Sequence, residues 1–204
     1  MKSILLHLLA FLIIQSLHAD PKPKKIALWD NHAPIGDGKF KQEDAWIHLH
    51  QPAKPNGTAV IICPGGGYGG QVMGAEGHGI AQWLNGHGIT GVVLQYRLPK
   101  GRSFVPLEDA QRAIRLVRQR AKEWKIDANK VGIIGFSAGG HLASSAATHF
   151  PKAGGPPAKN PFDRISCRPD FAVLVYPVVS MGKYTHRGSK RNLLGNNPDP
   201  KMVE

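Results

Sequence analysis

Four short apolar runs constrain this chain most: Thr58 to Cys63, Thr90 to Tyr96, Lys130 to Phe136 and Phe171 to Tyr176. Each has strand length, is rich in branched or aromatic residues, and lacks a polar face. Helix-length stretches lie between them. Glu76 to Asn85 is closed by Gly86 and Gly88. Pro106 opens a longer helix to about Trp124, with Glu108 and Asp109 in its first turn. Ala138 to His149 is the third. A strand apolar on both faces must be covered on both, and helices between strands supply parallel crossovers. The expected fold is therefore α/β, a mostly parallel sheet with helices on both faces. Two further strands, Ile26 to Trp29 and Ala45 to His50, precede these four and make six. No internal repeat or boundary interrupts the chain, so residues 26–204 read as one domain.

The first residues read differently. Lys2 precedes an apolar run from Ile4 to Ile14, broken only by His7, and Leu17-His18-Ala19 offers a small residue for cleavage. This pattern predicts a signal peptide over residues 1–19, a Pro/Lys linker over 20–25, and a secreted or periplasmic protein. The run is too short for a membrane span.

The net charge of +12 raises nucleic acid as a partner. The basic residues are dispersed, however. The densest set (Arg112, Arg115, Arg118, Arg120, Lys122, Lys125) alternates with Ala113, Ile114, Leu116 and Val117. That is expected to be the solvated face of an amphipathic helix, and no nucleic-acid-binding motif accompanies it. Cys63 ends an apolar run and is expected to be a buried free thiol; a bridge to Cys167 is disfavoured. His48 and His50 share one face of a strand and are expected to form a surface face, without a metal. No cofactor is implied.

The chemistry concentrates at Gly135-Phe136-Ser137-Ala138-Gly139, between a buried strand and a helix. A tight strand-to-helix turn holds the serine in a strained conformation with its hydroxyl exposed, and both flanking glycines avoid collisions. The helix N-terminus behind it points amides and partial positive charge at the reacting atoms. A second glycine loop, Pro64-Gly65-Gly66-Gly67-Tyr68, leaves the end of another apolar strand. The amide of Ala138 with those of Gly66 or Gly67 would form an oxyanion hole. The loop lacks the Gly-Lys-Ser/Thr ending of a phosphate loop.

These residues carry a resemblance. "CPGGGYGG" (63–70), "YRLP" (96–99), "PLEDAQRAIRLVR" (106–118), "WKIDANKVGIIGFSAGGHLA" (124–143) and "YPVVS" (176–180) are similar to α/β-hydrolase-fold esterases. The nearest likeness is to secreted carbohydrate esterases of the acetylxylan-esterase-like group. The resemblance implies a serine carboxylic-ester hydrolase acting on acetylated plant-type polysaccharide or a related small ester. Ser137 would be its nucleophile, Gly66, Gly67 and Ala138 its oxyanion hole, and Tyr68 part of its acyl pocket. Pro64 stands where the common form has histidine. The resemblance also implies an Arg97–Asp109 ion pair between a strand end and a helix start.

The resemblance leaves a gap. Its triad order is Ser, then Asp or Glu, then His. Downstream of Ser137 stand His141, His149 and His186, with Asp163, Asp170 and Asp199. His141 lies a turn down the same helix, His149 at its far end, and His186 in the cap region. Asp163 and Asp170 precede the last strand, and Asp199 sits in a Pro-bounded turn. The expectation is that the triad acid and base are absent from these 204 residues, with the two C-terminal strands that would carry them missing. Phe171 to Tyr176 would then be an unprotected apolar edge. The alternatives are an inactive remnant or binding module and, less favoured, a serine peptidase on the same fold.

Overall fold

The computed structural model describes residues 22–29, 33, 45–151 and 161–203. The expected signal peptide lies outside these residues. Among them, no helix is long and apolar enough to cross a membrane.

Among the described residues, six strands form one sheet: β1 (Lys24–Ala27), β2 (Trp46–His50), β3 (Ala59–Cys63), β4 (Thr90–Gln95), β5 (Val131–Phe136) and β6 (Ala172–Val175), in the order β1-β2-β4-β3-β5-β6. β1 and β2 run antiparallel to their neighbours, whereas β4, β3, β5 and β6 are mutually parallel. β1 begins at Lys24, so the last two residues of the expected linker are already paired, opposite Leu49 and His48.

The parallel strands alternate between two cores, as the period of two requires. Ala59, Ile61 and Cys63 with Val92 and Leu94 face one cluster; Val60, Ile62 and Val93 face the other. Helices α2 (Phe104–Gln119) and α3 (Ala138–Thr148) cover the first face, and α1 (Ile80–Gly86) covers the second. A short π-helical turn, Gly74–Gly79, precedes α1. Gly77 permits its close seat, because a methyl there would stand 2.9 Å from Val93 Cγ1. α2 opens at Phe104, earlier than expected, and Pro106 sits in its first turn, where no N–H is needed. It ends at Gln119 rather than near Trp124. The chain then turns back through Trp124 N–H to Arg120 O and Ile126 N–H to Ala121 O, with Lys125 at φ 55°.

Two surface expectations are corrected. Arg120, Lys122 and Lys125 are exposed, as expected of a solvated face, but the arginines within α2 are half-buried and also engaged. Arg112 donates to Leu28 O and lies over the rings of Trp29 and Phe162. Arg115 donates to Ile165 O, and Arg118 binds Ser166 O, Arg168 O and the Asp170 carboxylate. Guanidinium forks suit these roles because they satisfy several loop carbonyls at once. His50 is buried, since α1's approach covers that face of β2. Its Nε2 shares a 2.9 Å hydrogen bond with His78 Nδ1, while His48 Nε2 pairs with Gln95 Oε1. Among the described residues, no group of three His, Cys, Asp or Glu side chains is placed to hold a metal ion.

The expected ion pair is present. Arg97 Nη2 lies 2.8 Å from Asp109 Oδ1, both side chains fully buried, and Arg97 N–H and Trp29 Nε1 also donate to that carboxylate. Both cysteines are free and buried. β6 forms one edge of the sheet, with Phe171, Val173, Leu174 and Tyr176 exposed. The polar stretch after Pro177 contains helix α4 (Arg187–Leu194).

Candidate functional site

From β3 the chain crosses to β4 on one side, and from β5 to β6 on the other. The crevice outside such a reversal lies between the carboxyl ends of β3 and β5, where open α/β sheets bind ligands. The register pairs Cys63 with Gly135. It therefore sets the loop after β3, starting at Pro64, beside Phe136 and Ser137.

Ser137 has φ 51° and ψ −115°, the strained conformation expected of the turn. Its surroundings fix that strain. Its N–H donates to Val175 O, and its carbonyl accepts from Val178, Gly140 and His141 amides. The two glycines are required by contact. A methyl on Gly135 would lie 2.8 Å from Gly140 N, and one on Gly139 would lie 2.6 Å from Pro64 O and nearer still to Cys63 O. The second of these clashes shows how closely α3 approaches the end of β3.

The glycine loop touches the serine. A methyl on Gly65 would be 3.1 Å from Ser137 Cβ. Gly66, Gly67 and Tyr68 have successive positive φ of 135°, 62° and 59°, and Gly66 O accepts from Gly69 and Gly70 amides. Gly65 N–H is engaged by Glu76 Oε2 at 2.7 Å. Among the described residues, the amides of Gly66, Gly67 and Ala138 donate to nothing. Three unengaged N–H groups thus remain at the crevice beside Ser137. Unengaged amides next to a nucleophile can bind a developing negative charge.

Tyr68 follows the glycine loop directly. Its ring is buried, and its hydroxyl pairs with His141 Nδ1 at 2.9 Å. It borders a cavity of about 550 Å³ together with His141, His149, Phe104, Leu107 and Lys201, whose lining does not include Ser137. The positive φ of Tyr68 turns its side chain inward, under the loop. Burial, with a smaller contribution from His149, pushes the His141 imidazole below its ordinary value and favours the neutral ring.

Most of the other downstream groups have partners of their own. His149 Nδ1 pairs with Thr148 Oγ1. His186 caps α4 through Nδ1, which accepts Ser189 N–H. Its ring nevertheless lies against the glycine loop, 3.7 Å from where a Gly67 methyl would stand. Asp163 is in a 3₁₀ turn, Asp170 binds Arg118 and Val131 N–H, and Asp199 caps the turn at Pro200–Met202. Sequence reasoning missed Asn192, whose Nδ2 donates to Gly67 O at 2.9 Å, and Glu76. Neither belongs to a motif, and only the docking of α4 and of the Gly74–Gly79 turn brings them to the loop.

Residues 47–163 match the family model described as BD-FAE. The chain is 41% identical over 155 residues to an acetylxylan esterase from Xylanibacter ruminicola, covering 74% of this chain and 30% of that protein. It is 40% identical over 144 residues to endo-1,4-beta-xylanase B of Butyrivibrio fibrisolvens, covering 68% and 22%. The chain thus spans less than a third of these relatives' length. Among solved structures, it is similar to an acetyl ester-xyloside bifunctional hydrolase from Caldicellulosiruptor lactoaceticus, with a TM-score of 0.78 and 42% identity. That match covers 91% of this chain and 68% of that one. The sheet order, the switch-point crevice and these matches agree: the chain belongs to the BD-FAE family and has the α/β-hydrolase fold.

Proposed function

We propose that this chain carries the nucleophile and oxyanion site of an exported esterase acting on acetylated xylan or a related small ester. One observation carries the proposal: Ser137 stands at positive φ beside the unengaged amides of Gly66, Gly67 and Ala138. Its hydroxyl would attack the ester carbonyl, displace the alcohol and form an acyl-enzyme, which water then releases as the acid. The amides would stabilise the tetrahedral oxyanion, each worth roughly 3–4 kcal/mol of barrier. The acetylxylan esterase and the acetyl ester-xyloside hydrolase support an O-acetylated xylose unit as the substrate.

In this reading the histidine base is none of His141, His149 or His186, whose Nδ1 atoms pair with Tyr68, Thr148 and Ser189 and not with the carboxylate that orients a triad histidine. The test compares the chain with Ser137→Ala on p-nitrophenyl acetate and on acetylated xylan. Release of p-nitrophenol and acetate that is lost in the variant supports the reading and shows that a base reaches Ser137. Equal background turnover by both rejects esterase activity for this polypeptide and favours a non-catalytic module.

A further inference from the structure

We propose that Glu76 is a positioning residue of the Ser137 site, clamping the Gly65–Gly67 loop to the end of β6. The consequence for rate rests on the esterase reading above, while the clamp itself stands on geometry.

Glu76 lies in the π-helical turn before α1. Its Oε2 accepts Gly65 N–H at 2.7 Å, and its Oε1 accepts the Tyr176 hydroxyl at 2.9 Å. These partners bracket the serine. Gly65 immediately precedes the two unengaged amides of the loop. Tyr176 follows Val175, whose carbonyl holds Ser137 N–H. One carboxylate therefore joins the loop after β3 to the end of β6, with Ser137 between them. A methyl on Gly65 would lie 2.7 Å from Glu76 Oε2 and 3.1 Å from Ser137 Cβ, so carboxylate, glycine and serine stack in direct succession.

Tyr176 behaves as a tether. It is 63% exposed, so burial does little to hold it. It is fixed instead by its bond to Glu76, by a backbone φ of 35° and by a tilted contact with the Phe136 ring at 5.9 Å. The Glu76 bond also holds the Tyr176 phenol above its ordinary value. Hydrogen bonds to a carboxylate are stronger than neutral ones, which suits a two-point clamp. Both carboxylate oxygens are engaged, so Glu76 holds the loop instead of removing a proton from Ser137. A carboxylate near a developing oxyanion repels it. Donation from Gly65 and Tyr176 disperses that charge while fixing the amides where the oxyanion would form.

The test uses Glu76→Ala, Glu76→Gln and Tyr176→Phe in the whole chain, with two readouts. The first is the Gly65 amide proton, by NMR shift and hydrogen exchange. The second is steady-state hydrolysis of p-nitrophenyl acetate. In Glu76→Ala the Gly65 proton moves upfield and exchanges at least about tenfold faster. Its kcat falls roughly 10- to 100-fold, as expected for a misplaced site, and KM stays within about twofold. Glu76→Gln restores much of both, because its carbonyl can accept from Gly65 and its amide can donate to the Tyr176 oxygen. Tyr176→Phe alters an exposed position without threatening the fold and gives the same kcat-only loss at smaller amplitude. A Gly65 amide unmoved in both Glu76→Ala and Tyr176→Phe overturns the proposal, as does a loss carried by KM or a glutamine no better than alanine. If Ser137→Ala matches the unmodified chain in turnover, the esterase reading fails, and the Gly65 amide still decides the clamp.

Discussion

Replacing Gly139 by alanine places one methyl group where α3 meets the end of β3, and the structure leaves it no room. The added carbon would lie 2.6 Å from Pro64 O and closer to Cys63 O. Both obstacles are backbone, so no side chain can rotate aside. Restoring ordinary contact near 3.5 Å requires α3 and β3 to separate by roughly 1 Å. Overpacking of this kind costs about 1–3 kcal/mol. For a chain of this length that corresponds to a fall in Tm of roughly 2–12 °C. The effect on rate should be larger than the effect on stability. The displaced atoms link Ser137 on one side to the glycine loop on the other, and a misplacement of about 1 Å can reduce catalysis roughly 100-fold. Gly86→Ala is the control, because a methyl there meets nothing within 4 Å. Thermal unfolding and p-nitrophenyl acetate hydrolysis measure the two consequences. A Gly139→Ala protein with unchanged Tm and a kcat within twofold refutes the argument that this glycine sets the helix–loop spacing.

Further outcomes follow from other contacts. Asp109→Ala leaves Arg97 buried without its carboxylate, and chemical denaturation should show a loss of about 3–5 kcal/mol. Burial raises the Glu108 carboxyl to about 7 against the partial counter-effect of Arg97. Its proton is thus held more tightly in the folded state, so stability present below the ordinary value of 4.5 is lost as pH rises toward 7. Glu108→Gln should flatten that part of a stability–pH curve measured by urea unfolding. His186→Ala should lower turnover less than about fivefold; a loss equal to that of Ser137→Ala would make His186 the base. Burial pushes the Cys63 and Cys167 thiols up, so a thiol reagent should label both only after denaturation.

The parallel half of the sheet is legible in sequence because strands buried on both faces must be written as unbroken apolar runs. The serine turn is legible for a related reason. Only glycine fits at 135 and 139, and glycine leaves a visible spacing. The arginines of α2 are less readable, since a guanidinium looks identical in sequence whether it faces water or, like Arg118, three backbone carbonyls and a carboxylate. His50 misleads for the same reason, because period-two reasoning gives a face of β2 but not what α1 places over it. The burial of Tyr68 is not legible either, since its φ of 59° is one that sequence does not prescribe for tyrosine. Glu76 and Asn192 reach the loop through tertiary docking, and nothing local marks either residue.

The pairing of Cys63 with Gly135 has a kinetic side. It joins strands separated in the chain by β4 and two helices, so the crevice cannot close until the intervening crossovers are in place. Long-range parallel pairing forms late, because loop-closure entropy is lost before the contact is gained. During that interval the apolar faces of β3 and β5 are open, as the edge of β6 remains afterwards. Refolding yield should therefore depend steeply on protein concentration, with aggregation competing at the step that brings the serine to its glycine loop.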